Sequence, residues 1–300
     1  MVIVPTDTEK VTLTIFTPTY NRAHLLPRLY ASIKSQVRPN ELVEWLVIDD
    51  GSTDDTFEII DRFKNERPDL VRYTCVENGG KHRAINLAAG LAHGDWVMIV
   101  DSDDRLLEGA INHVLETIRR FGDDARVGLL RGLKQFPELA TEHRFDVRRN
   151  PCRHDEWISS QRPFDTAEVI RRAALQLHSF PDYPGERFMA EGWLWHNLDH
   201  SHLTFFISSP WVECFYQGEG LSASSRHIRA QSPCGAMAVY AAMLDAELSP
   251  QLRARASINW WRYRFHARRQ HKTVISKFRV PVTFAPLGWL VYLWDWIGIR

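Results

Sequence analysis

An α/β fold built on a mostly parallel sheet flanked by helices, with a helical C-terminal extension, is predicted by two features of this 300-residue chain. Short β-branched, apolar runs alternate with longer segments of helical spacing through the first 130 residues. Each run also ends in an unusually polar turn. Strands separated by helical segments of ten to fifteen residues indicate βαβ units and parallel pairing.

The first strand is predicted at 11–17 (VTLTIFT), followed by a helix at 22–36 with Leu25, Leu26, Leu29 and Ile33 at helical spacing. Pro27 is tolerable there because a first helical turn has no N–H partner to lose. A strand at 42–49 precedes a helix at 54–66, opened by Asp54 and Asp55, whose carboxylates favour a helix N-terminus. Strand 70–77, helix 81–92, strand 95–100, helix 108–121 and strand 125–130 complete the pattern. The helical spacing of Phe188, Trp195 and Leu198 suggests a further helix from Phe188 onward.

In such sheets ligands bind beyond the carboxyl ends of the strands. The turns expected there are PTYNR (18–22), DDGSTDDT (49–56), ENGGKHR (77–83) and DSDD (101–104). Neither the G-x-G-x-x-G fingerprint nor a Walker loop is present, which argues against nicotinamide and P-loop chemistry. Carboxylates crowded at Asp101, Asp103 and Asp104 repel one another unless a cation compensates. A hard divalent ion, Mn²⁺ or Mg²⁺, bound through one or two carboxylates and diphosphate oxygens would supply that charge. A solvated acidic turn is the plainer reading of DSDD taken alone.

Composition sets the remaining bounds. Hydrophobic residues make up 44% and charged residues 25%, as in an ordinary globular protein. The formal net charge is zero, so no global field favours nucleic acid. Residues 251–300 nevertheless hold ten Lys or Arg against Asp295 alone, a net +9, leaving −9 on the first 250. The basic residues there are interleaved with aromatics, and three tryptophans follow in 284–299. Such a pattern suits a helix lying on an anionic membrane, a packed helical subdomain or an oligomer interface. No apolar run reaches the roughly 18–20 residues of a membrane span. Four scattered cysteines and no secretory pattern at the N-terminus suggest reduced thiols and a cytoplasmic location, peripheral on the inner face of the membrane if the tail binds lipid.

The segments TIFTPTYNRAHLLPRLYASIKSQ, WLVIDDGSTDDT, NGGKHRAIN and DSDD resemble, in order and spacing, the inverting nucleotide-sugar glycosyltransferases of family 2. The resemblance is dense over residues 11–130 and weaker through FMAEGWLWHNL to YQGEGLS. It implies a GT-A fold with three parts: a nucleotide-sugar half (1–130), an acceptor half of the same domain (131–232) and a helical extension (233–300). Thr17, Pro18 and Tyr20 would then line the nucleoside pocket, with Asn21 and Arg22 close by. Asp50, or Asp49, would bind uracil or its ribose, Lys81 would lie near base and diphosphate, and Asp101 would approach the ribose. Asp103 would ligate the metal. Glu191 would be the base, with Glu186 as second choice, although Gly192 replaces the second acid of the pair many relatives carry. A UDP-sugar donor, a glycan or lipid-linked saccharide acceptor, and a role in envelope polysaccharide assembly are the implied partners and task.

Other readings compete. Trp193, Trp195 and Trp211 could stack on a sugar, though core packing is the commoner use. His196, His200, His202 or His227 could complete a metal shell, but HNLDHSH has no H-E-x-x-H context for zinc. A silent sugar-nucleotide or glycan-binding protein could use the same fold. A serine hydrolase at Ser222 is a distant third, because Ser224 stands where the G-x-S-x-G elbow needs glycine.

Overall fold

The computed structural model describes residues 12–39, 42–138, 145, 150–160, 164–215, 225–272 and 279–298. The first half alternates as the sequence predicts. It comprises β1 (Leu13–Thr19), α1 (Leu26–Lys34), β2 (Val43–Asp49), α2 (Thr56–Glu66), β3 (Val71–Cys75), α3 (Lys81–Leu91) and β4 (Trp96–Ile99). There follow β5 (Arg105–Leu106), α4 (Ala110–Phe121), β6 (Val127–Gln135), α5 (His154–Ser160), β7 (Thr166–Arg171), α6 (Arg172–Leu177), α7 (Gly192–Leu198) and β8 (Leu203–Glu213). The chain continues as helices: α8 (Ser225–Gln231), α9 (Pro233–Asp245), α10 (Pro250–Arg269) and α11 (Ala285–Gly298). Val11, residues 216–224 with Ser222, residues 273–278 with Lys277, and residues 299–300 lie outside the described residues.

One eight-stranded sheet runs in the order β3-β2-β1-β4-β7-β6-β8-β5. β1 to β4 pair with one another in parallel, whereas β7 is antiparallel to both β4 and β6. The sheet is therefore mixed. Periodicity marks which residues are extended, but it does not say that β7 will insert between β4 and β6. β6 spans the 130/131 division, so the two halves expected from the sequence share one sheet.

β1 and β2 are buried along their whole length, which explains their near-continuous apolar sequences. Leu13 and Ile15 face a layer containing Leu26 and Leu29 of α1, Ile60 of α2 and Ile111 of α4. Phe16 faces the opposite layer, with Ala84 of α3, Leu175 of α6 and Leu194 of α7. Each fully buried aliphatic side chain contributes roughly 1.5–3 kcal/mol. The chain leaves β1 for β2 on one side and later returns to place β4 on the other. That order reversal opens a crevice at the carboxyl ends of β1 and β4.

Candidate functional site

A cavity of about 1150 Å³ occupies that crevice. The turn after β1 contributes Pro18, Thr19, Tyr20 and Arg22. Asp50 arrives from the end of β2, Lys81 from the start of α3, and Asp101, Asp103 and Asp104 from the turn after β4. Glu191 reaches the same space from the residue flanking α7. Of the ten residues predicted to form the site, eight therefore meet here.

Thr17 does not. Its hydroxyl accepts a hydrogen bond from Trp45 Nε1 at 3.0 Å, and the residue is fully buried. Alternation along β1 turns Leu13, Ile15 and Thr17 to the α1–α2 layer, whereas Pro18, on the other face, and Thr19, at the carboxyl end of the strand, line the cavity. Asn21 binds the neighbouring turn, its N–H donating to Ser52 Oγ and its Oδ1 accepting from Thr53 N, each at 2.8 Å. Asp49 is likewise structural, accepting from Ser52 N and the Tyr73 hydroxyl.

Asp50 holds the loop into α3. Its Oδ1 accepts from Gly79 N at 2.7 Å, and its Oδ2 accepts from Gly80 N at 2.8 Å and from Asn78 Nδ2 at 3.2 Å. A carboxylate offers about four lone-pair directions, so one remains on Oδ1 for an N–H or hydroxyl donor.

The partner that the clustered aspartates require is found in the chain's own cations. Lys81 Nζ lies 2.6 Å from Asp101 and 2.8 Å from Glu191, bridging the two carboxylates. Burial alone would raise the Asp101 and Glu191 carboxyls, but Lys81 outweighs it and holds both below the usual carboxylate range. Burial, with the Asp101 and Asp103 charges beside it, pushes Asp104 up to about 6 against the pull of Lys134 at 3.3 Å. The Cys214 thiol donates to Asp104 at 3.3 Å. Asp103 pairs with Arg22 at 3.3 Å.

Asp101, Asp103 and Asp104 can each offer one oxygen, all within 4.8 Å of one another. An all-carboxylate donor set fits a hard divalent cation such as Mg²⁺ or Mn²⁺. Among the described residues no histidine joins this group. His196 hydrogen-bonds Asp155 at 2.8 Å, His200 pairs with Asp245 at 3.3 Å, and His202 and His227 each lie 2.7 Å from a neighbouring polar side chain.

Glu186 does not line this cavity. It is buried, with Oε1 accepting from Cys234 N at 2.9 Å and from Lys272 Nζ at 3.0 Å, while Oε2 accepts from Gly235 N at 2.8 Å. It caps the N-terminus of α9, where backbone N–H groups favour an anion. This anchor also explains why residues 188–190 are not helical as predicted. Gly235 packs so closely on Phe188 that a Cβ would lie 2.6 Å from its carbonyl oxygen, and the helix starts only at Gly192. Of the tryptophans, Trp211 is fully buried, Trp193 packs on Phe180, and Trp195 lines the cavity.

Among the cavity residues absent from the sequence-based expectation are Arg131 and Lys134 on β6, and Glu168 on β7. Arg131 is 1% exposed, with its guanidinium between the Trp157 and Trp195 rings and Nη1 3.0 Å from His154 Nδ1. Its Nε lies 4.0 Å from Glu168, whose carboxyl burial raises above the usual range. The signal lies in the sequence LLRGLKQ, two cations inside an otherwise apolar strand.

Residues 14–175 match the family described as glycosyl transferase family 2. Poly(ribitol-phosphate) β-N-acetylglucosaminyltransferase TarS of Staphylococcus aureus is 28% identical over 135 residues, covering 43% of this chain and 24% of TarS. Glycosyltransferase GlyG of Streptococcus pneumoniae is 32% identical over 117 residues, covering 39% of this chain and 38% of GlyG. The chain thus spans well under half the length of these curated relatives. Residues 1–349 of TarS superpose with a TM-score of 0.63 at 17% identity, covering 95% of this chain and 80% of that one. A mannosyltransferase from Pyrobaculum calidifontis, crystallised with GDP-mannose and Mn²⁺, gives 0.59 at 17% identity, covering 98% and 82%. The shared architecture is the GT-A fold.

Proposed function

The chain belongs to glycosyl transferase family 2, and on that premise we propose that it transfers a sugar from a UDP-sugar to a glycan or lipid-linked saccharide hydroxyl in envelope polymer assembly, with inversion at the anomeric carbon. One observation carries the reading: Lys81 joins Asp101, on the nucleotide rim, to Glu191, on the acceptor rim, inside a single cavity. TarS, whose structure has been solved with UDP-GlcNAc, supports the choice of uridine.

Residues 1–130 form the donor side. The free lone pair of Asp50 suits an N–H of the base or a ribose hydroxyl, and Lys81 and Arg22 bring positive charge to the diphosphate. Asp103, with Asp101 and Asp104 beside it, would hold a divalent cation, Mn²⁺ or Mg²⁺, which when bound offsets charge gathering on the departing nucleoside diphosphate. Residues 131–232 supply the acceptor side, with Trp195 offering an aromatic face to a pyranose and Arg131 and Glu168 behind it. Glu191 takes the proton of the attacking hydroxyl. The acceptor oxygen bonds to the anomeric carbon on the face opposite the diphosphate, and the bond from that carbon to the diphosphate oxygen breaks. Lys81 keeps Glu191 ionised and oriented for this step.

A thermal-shift screen of nucleotide sugars with and without Mn²⁺ tests the donor assignment. A UDP-sugar is expected to raise the melting temperature only with the cation, and Asp103→Ala is expected to abolish the rise. Metal-independent stabilisation, or a rise retained in Asp103→Ala, would contradict it.

A further inference from the structure

α11 carries its polarity on the wrong side for a helix in water. Its one charged residue, Asp295, is fully buried against α10, where it accepts from Arg262 Nε at 2.6 Å and lies 3.0 Å from His266 Nε2. Gly288 lets the two helices approach closely, since a Cβ there would lie 2.5 Å from Trp261 Cβ. The outward half presents Leu287, Trp289, Leu290, Trp294, Trp296 and Ile297, each at least 41% exposed. Leu287, Leu290, Trp294 and Ile297 follow one another at spacings of three and four residues, a continuous apolar stripe. A water-facing helix shows the opposite pattern, and most soluble monomers expose no such contiguous apolar face.

Cations rim this face. The Arg226 guanidinium stands 4.6 Å from the Trp294 ring centroid, and that of Arg269 stands 4.6 Å from Trp296. With residues 251–300 at a net +9, two copies meeting face to face would repel, whereas an anionic surface would attract them. The helix has 14 residues, roughly 21 Å, too short for a hydrocarbon core of about 30 Å. Among the described residues no helix is long and apolar enough to cross a membrane.

We propose that α11 lies flat in the headgroup–acyl boundary of an anionic bilayer, with its tryptophans and leucines inserted and Arg226 and Arg269 on lipid phosphates. The inference rests on the helical extension alone and does not depend on the donor assignment. It orients the catalytic domain at a lipid surface, where a lipid-linked acceptor would be presented.

Co-sedimentation of the full chain with phosphatidylglycerol-containing or pure phosphatidylcholine vesicles, in the absence of any sugar nucleotide, tests it. Wild type is expected to bind the anionic vesicles roughly tenfold more tightly, with affinity falling as salt rises. Leu290→Glu/Trp294→Glu should lose roughly tenfold or more of that binding at an unchanged melting temperature. Arg226→Glu/Arg269→Glu, which leaves the apolar stripe intact, should erase the preference for anionic lipid. Failure of wild type to pellet with anionic vesicles would overturn the proposal, as would wild-type pelleting of the Leu290→Glu/Trp294→Glu protein. A dimer in sedimentation velocity that this pair of substitutions dissolves, with no vesicle binding, would overturn it in favour of a second copy.

Discussion

Glu191→Gln is expected to lower kcat by about 10²–10⁴-fold, the usual worth of a positioned general base, while UDP binding stays intact. The amide keeps the shape of the side chain but cannot take a proton. Lys81 would still pair with Asp101 at 2.6 Å, so the nucleotide rim should keep its charge balance. UDP release from donor and acceptor, beside a UDP titration, separates the two effects. Loss of both would mean that Glu191 holds the site together rather than performing chemistry. Full retention of turnover would remove it as the base.

The Lys81–Glu191 contact also fixes the direction of the pH response. Lys81 holds the Glu191 carboxyl below its ordinary value of 4.5 despite burial, so the ionised base persists into acid. The acid limb of kcat should therefore lie below the range of an ordinary glutamate. In Lys81→Met the burial effect is unopposed, and the limb should move to higher pH whatever happens to the absolute rate. An unmoved limb would show that Lys81 does not tune the base.

Gly80→Ala is expected to be the most damaging single methyl in the donor rim. Gly80 has φ +96°, and a Cβ there would lie 1.9 Å from the Arg187 carbonyl oxygen. The positive φ and the clash together cost about 2–5 kcal/mol. A chain of this size should then lose roughly 3–8 °C of melting temperature. Both atoms in the clash are close to backbone, so relief requires moving the 185–191 segment away from α3. That movement separates Lys81 from Glu191, and activity should fall further than stability alone accounts for. Gly90→Ala, with open space around its Cβ in the same helix, serves as the control and should be neutral or slightly stabilising. Equal melting temperatures for the two variants would contradict the close packing of donor and acceptor rims.

What was legible in the sequence was whatever a local pattern encodes. β1 to β4 and α1 to α4 fall within a few residues of their predicted bounds, because periodicity and turn residues act over short range. Tyr20, Asp50, Lys81, Asp101 and Asp103 could be placed on one rim because parallel topology brings strand ends together. Thr17 was misplaced by a single step of strand alternation, which a turn motif does not resolve. Glu186, second to Glu191 in the sequence reading, is occupied by backbone N–H groups of α9, almost fifty residues later, and by Lys272 beyond α10, partners that no local pattern reveals. Arg131 and Lys134 were missed because the predicted strand stopped at 130, where apolar residues give way to cations. Their burial makes sense only with Glu168 and Asp104 opposite, and those partners come from elsewhere in the fold.

A crystal grown with UDP and Mn²⁺, measured at a wavelength where manganese scatters anomalously, tests the shared cavity most directly. The anomalous peak should lie against Asp103 with the uridine toward Asp50, and Lys81 should stand between the diphosphate and Glu191. A nucleotide bound elsewhere, or manganese away from Asp101, Asp103 and Asp104, would contradict the account.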